Sequence, residues 1–128
     1  MRTSSVYNIY YDNDLKAVIG IWKGYATSTQ FREGTEEQLA LMVANQTTKM
    51  LVDLKEMVLI GKDDKDWMDK NYLPKAIEEG LKSAAVLQPD YYFNKVAVDS
   101  IIFKIDKQEL KVNYFNSLGE AKEWLQSV

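Results

Sequence analysis

The chain has 128 residues, with 16 Lys and Arg against 19 Asp and Glu, and neither Cys nor His. Without imidazole or thiol there is no Ser-His-Asp triad, no thiolate nucleophile, no Cys/His zinc site and no haem held by His or Cys; catalysis would have to run on carboxylates, Lys, Tyr or hydroxyls. A formal charge of −3, with the cations spread along the chain, sets up no basic field for phosphates and argues against nucleic acid as a partner.

A 46% hydrophobic, 27% charged chain of this size suits one domain over residues 1–128. Met1 to Asn8 lacks the apolar stretch of about 7 to 15 residues that a secretory signal needs. The longest apolar run, Ala17 to Trp22, falls well short of the roughly 20 residues that span a bilayer. A cytoplasmic protein without a membrane span is the expectation.

Val6, Ile9, Tyr10 and Tyr11 predict a first strand, and Asp12-Asn13-Asp14 a turn into a second, Leu15 to Trp22. Both faces of that second strand are apolar, which predicts an interior position. Ser28 is a candidate N-cap for an amphipathic helix that buries Phe31, Leu39, Met42 and Val43, with Gly34 weakening it by about 1 kcal/mol relative to Ala. Lys49 to Leu54 reads as a buried parallel strand. Trp67, Met68, Tyr72, Ala76 and Ile77 fall at helical spacing between Asp63 and Gly80, and Pro74 predicts a kink or two short helices meeting near Leu73.

Lys82 to Leu87 predicts another buried strand, stopped by Gln88-Pro89, and Asp90 a helix through Tyr91, Tyr92, Phe93, Val96 and Ala97. Leu110, Val112 and Tyr114 alternate with polar residues as a last strand nearer an edge. Ser117-Leu118-Gly119-Glu120 has the form of a capping box for a final helix burying Leu118, Ala121, Trp124, Leu125 and Val128. The order ββαβαβαβα predicts an α/β fold: a mixed, mostly parallel sheet with an N-terminal hairpin and helices packed on it.

Several strings, in order, resemble small bacterial proteins of the STAS-like fold, the fold of anti-sigma-factor antagonists. They are Ile21-Trp22-Lys23-Gly24, Leu51-Val52-Asp53-Leu54, Trp67 through Tyr72-Leu73-Pro74-Lys75-Ala76, and Gly80-Leu81-Lys82 leading into Ala85-Val86-Leu87. Tyr114-Phe115-Asn116-Ser117-Leu118, running into Ala121-Lys122-Glu123-Trp124-Leu125, completes the series. The resemblance implies a first strand antiparallel to a mostly parallel sheet, with helices on one side. The antagonists are switched by phosphorylation of a Ser at the start of the helix after the central strand. Here the matching stretch, Val58 to Asp64, contains no Ser or Thr, so the usual phosphoswitch is not expected.

In parallel α/β sheets ligands sit beyond the carboxyl ends of the strands, which gathers Lys23, Tyr25, Asp53, Lys55, Tyr91 and Tyr92 as a candidate small-ligand site. In the competing reading Asp53 takes loop amides, Lys55 is solvated and the tyrosines pack at a helix start. Asp63, Asp64, Asp66 and Asp69 lack the spacing of a calcium loop and are interleaved with Lys, so no metal or cofactor is expected. Met57, Leu59, Ile60, Trp67, Met68 and Tyr72 form a candidate interaction face, for a protein partner or a two-fold homodimer, unless the stretch is core. The reading that follows is a non-enzymatic regulatory or protein-interaction module. The alternative is a small-ligand or lipid-binding protein, with a pocket at the strand ends or an apolar cavity between sheet and helices.

Overall fold

The computed structural model describes residues 2–3, 5–58, 60–89 and 110–128. Among them a six-stranded sheet runs in sequence order: β1 (Arg2–Thr3), β2 (Tyr7–Asp12), β3 (Ala17–Gly24), β4 (Lys49–Met57), β5 (Ser83–Leu87) and β6 (Lys111–Phe115). β1, β2 and β3 pair antiparallel, and β3 through β6 are parallel. The helices are α1 (Ser28–Ala44), α2 (Lys62–Trp67), α3 (Leu73–Glu78) and α4 (Leu118–Ser127), with a π-helical turn over Met68–Tyr72 between α2 and α3. The expected hairpin, parallel inner strands and β6 edge are all present. The short β1 was not anticipated, and the helix expected from Asp90 lies outside the described residues.

Local chemistry accounts for these boundaries. Asp12 Oδ1 accepts from the amides of Asp14 and Leu15, at 2.9 and 3.0 Å, and so closes the hairpin turn. The N-cap of α1 is Thr27 and not Ser28: its side chain accepts from the Gln30 amide while Gln30 Oε1 accepts from the Thr27 amide, a full capping box. At Pro74 the missing amide proton would leave a gap in an α-helical ladder. The chain widens by one residue ahead of it, with the Leu73 amide bonding Met68 O, so the expected interruption takes the form of a π-turn. Ser117 caps α4 by accepting from the Glu120 amide at 3.2 Å.

The sheet is apolar on both faces, as alternation along each strand shows. Val18, Trp22, Met50, Leu54, Ala84 and Val86 join Phe31, Leu39 and Met42 of α1 and Ala76 of α3 in the larger core. Ala17, Ile19, Leu51, Ala85 and Leu87 face the other way, against Ala121 and Leu125 of α4. Helices therefore cover both faces, which corrects the one-sided arrangement implied by the resemblance. Leu118 and Val128, expected in the core with α4, are exposed, because the stripe of this short helix admits only Ala121 and Leu125 fully. Val43 of α1 is likewise exposed.

Candidate functional site

Among the described residues no hydrogen bond or ion pair joins the side chains of Lys23, Tyr25, Asp53 and Lys55 at the carboxyl ends of the strands. β3 and β4 carry a register irregularity between Ile21 and Lys23, so that Ile21 pairs with Asp53 but Lys23 with Glu56. Asp53 Oδ1 accepts from the Lys55 amide at 3.0 Å, a local bond within this irregular part of the strand. Lys23 and Glu56 form an ion pair at 3.7 Å with both side chains about two-thirds exposed, a geometry worth little in water. Tyr25 and Lys55 are exposed. Tyr91 and Tyr92 lie outside the described residues.

The apolar stretch from Met57 to Tyr72 divides. Met57, Ile60 and Tyr72 are buried in the core, Trp67 and Met68 are half-buried against it, and Leu59 lies outside the described residues. The irregular pairing in β4 turns both Leu54 and Met57 inward, which absorbs much of the surplus that sequence spacing alone left unplaced. Met57 and Ile60 are thereby removed from any surface face.

Trp67 and Tyr72 end a run of contacting rings. Tyr7 meets Trp22 at 5.2 Å, Trp22 meets Phe31 at 5.6 Å, Phe31 meets Trp67 at 6.3 Å, and Trp67 meets Tyr72 at 5.6 Å. The Arg32 guanidinium lies 5.3 Å from the Trp67 ring centre and its Nε donates to Asp64 Oδ1 at 3.3 Å. Ser28 Oγ donates to Asp64 Oδ2 at 3.0 Å. Asp64, in the first turn of α2, thus ties that helix to α1 and is committed to internal partners.

Two concave features flank this run. The first is a surface groove of about 630 Å³ between α1 and the π-turn with α3. Its floor is Leu39, Trp67 and Tyr72, and exposed Ala40, Val43, Glu36, Lys75 and Glu79 stand around it. The second is an apolar cavity of about 100 Å³ between α1 and the sheet, walled by Trp22, Phe31, Met50, Val86 and Leu110 among others. Tyr72 lines both.

The sequence reading found Trp67 and Tyr72 but missed Gln38 and Val43. Gln38 is 2% exposed and lines the cavity. It lies seven residues after Phe31 and four before Met42, so a polar residue on the apolar stripe of α1 was the available signal. Among the described residues no group of three or more Asp or Glu is placed to hold a metal ion. Nor is any helix there long and apolar enough to cross a membrane.

No family model matches the chain, and no curated protein matches it. Among solved structures it is similar to an uncharacterised protein of the DUF3478 family with a SpoIIAA-like fold from Shewanella loihica PV-4, with a TM-score of 0.64 and 17% identity over 98% of each chain. At that identity the likeness establishes the fold, which is SpoIIAA-like, the STAS-like architecture read from the sequence.

Proposed function

We propose that this protein is a non-enzymatic interaction module that seats an apolar segment of a partner protein in the groove between α1 and α3. The observation that carries the reading is the groove itself: Val43 is 47% exposed beside the half-buried Trp67, over a floor of Leu39 and Tyr72. Trp and Tyr at the centre of a concave apolar patch are the side chains that dominate binding energy at protein interfaces. Glu36 and Glu79 outnumber Lys75 on the exposed border, which favours a partner segment with basic residues beside its apolar ones. The resemblance to anti-sigma-factor antagonists supports a binding role. The absence of a hydroxyl from Val58 to Trp67 means that such binding is not gated by phosphate at the antagonist position.

Val43→Glu is the direct test, because it places a charge in the groove without entering the core. Cross-linking and affinity capture from the native cell are expected to recover a partner with the wild-type chain and to lose it with Val43→Glu at unchanged melting temperature. The same proteins captured by both would refute the groove. A second copy of this chain is the other occupant such a patch could take, and light scattering separates the two.

A further inference from the structure

Resting on the groove between α1 and α3 as a docking site, we propose that its occupant is an amphipathic helix of about three turns, with Lys or Arg beside its apolar stripe, carried by a different protein and not by a second copy of this chain. Shape, backbone chemistry and charge point to that occupant separately.

Both walls of the groove are helical. Glu36, Ala40, Val43 and Ala44 stand exposed along α1, and Trp67, Asn71, Lys75 and Glu79 recur every four residues along the facing wall. From Trp67 to Glu79 that wall runs for about 18 Å at 1.5 Å per residue, the length of about three helical turns. Ala40 and Ala44 keep the α1 wall low, so a helix laid in the groove can approach it closely. The π-turn shapes the floor. Residues five apart in an α-helix point about 140° away from each other. Trp67 and Tyr72 nevertheless have ring centres 5.6 Å apart, because the wider turn over Met68–Tyr72 brings them to one side.

Backbone chemistry favours a helix over an extended segment. The amides and carbonyls of α1 and α3 are bonded within their own helices, so the walls offer no ladder on which an extended chain could satisfy its backbone. A helix satisfies its own backbone and has only to present apolar side chains at i, i+3 or i+4, and i+7.

Charge decides the rest. Residues 28–44 and 62–79, which build both walls, hold five cations against nine acids, so this layer carries more net negative charge than the −3 of the whole chain. A basic partner is the complement. α1 holds Arg32 against Glu33, Glu36 and Glu37, and α4 holds Lys122 against Glu120 and Glu123. None of the described helices of this chain is net basic, so a second copy has none to offer.

The experiment pans a phage library of random 16-residue peptides on the full chain, with Val43→Glu of unchanged melting temperature as the counter-selecting bait. Peptides that bind the wild type and not Val43→Glu are expected to carry apolar residues at helical spacing and net positive charge. Made synthetically, they are expected to gain helical circular dichroism on binding. The double variant Glu36→Gln and Glu79→Gln is expected to weaken the tightest of them about two- to tenfold at low salt. Groove-dependent peptides that are neutral or acidic, that alternate with a period of two, or that bind without gaining helix would overturn this inference and leave the groove as a docking site. An unchanged affinity in the double variant would overturn the basic partner. If no peptide separates the two baits, the groove itself fails as a docking site and this inference fails with it. A wild-type chain that is dimeric in light scattering and monomeric as Val43→Glu would overturn the different protein as occupant.

Discussion

Gly34 sits in the interior of α1, where helix propensity alone says that Ala should stabilise by about 1 kcal/mol. The structure reverses that sign. A Cβ built on Gly34 would lie 2.4 Å from Trp22 Cη2, 2.9 Å from Trp22 Cζ2 and 3.2 Å from Tyr7 Cδ2. Ordinary carbon contacts are about 3.5 to 4.0 Å, so the Trp22 ring would have to move by about 1 Å. Trp22 is 1% exposed and packed between Tyr7 and Phe31, so the ring can move only by giving up part of those contacts. Overpacking of this kind costs about 1 to 3 kcal/mol, and after the propensity gain Gly34→Ala is expected to destabilise by up to about 2 kcal/mol. Urea unfolding followed by Trp fluorescence measures this directly. The mechanism is checked in a Trp22→Phe background, where the two clashing ring atoms are absent and Gly34→Ala should cost less, giving a coupling energy between the two sites. A Gly34→Ala variant more stable than wild type, or one whose cost is unchanged in Trp22→Phe, would refute the argument.

Asp64→Ala removes the acceptor shared by Ser28 and Arg32 and is expected to lower stability by about 1 to 2 kcal/mol in chemical denaturation, the more modest end because Arg32 is 41% exposed and can be solvated. A loss below about 0.3 kcal/mol would show the link between α1 and α2 to be incidental. Because the Tyr72 pKa is raised above 10.0 on folding, the folded chain holds that proton where the unfolded chain has released it. Stability from this group is therefore complete below pH 10 and falls as pH rises further, so alkaline unfolding should be shallower in Tyr72→Phe than in wild type; identical slopes would contradict the burial. Light scattering at micromolar concentration is expected to give the mass of one chain, since Met57 and Ile60 are spent in the core. A dimer dissolved by Val43→Glu would assign the groove to a second copy instead of a different partner.

Much of the architecture was legible because it rests on short-range rules. The strand of Ala17 to Gly24 is apolar on both sides, and only an inner strand of a two-faced sheet tolerates that. Pro74 forces an interruption wherever the surrounding helix lies, and Ser117 with Glu120 marks a helix start from chemistry that needs no tertiary partner. Tertiary structure alone decided which apolar residues are core, because that depends on register between elements distant in sequence. Met57 turns inward through an irregularity in the pairing of β3 with β4, and Leu118 and Val43 are left outside the core. The face taken by α4 follows from which side of β5 its two buried residues meet, and no periodicity within α4 encodes it. Gly34 looked like a weak point in a helix and is a point of close approach to Trp22, 12 residues away in sequence. The groove and the cavity are the spaces left between elements once all of these registers are set. They belong to no single segment, and for that reason Gln38 and Val43 acquire a role only in the folded chain.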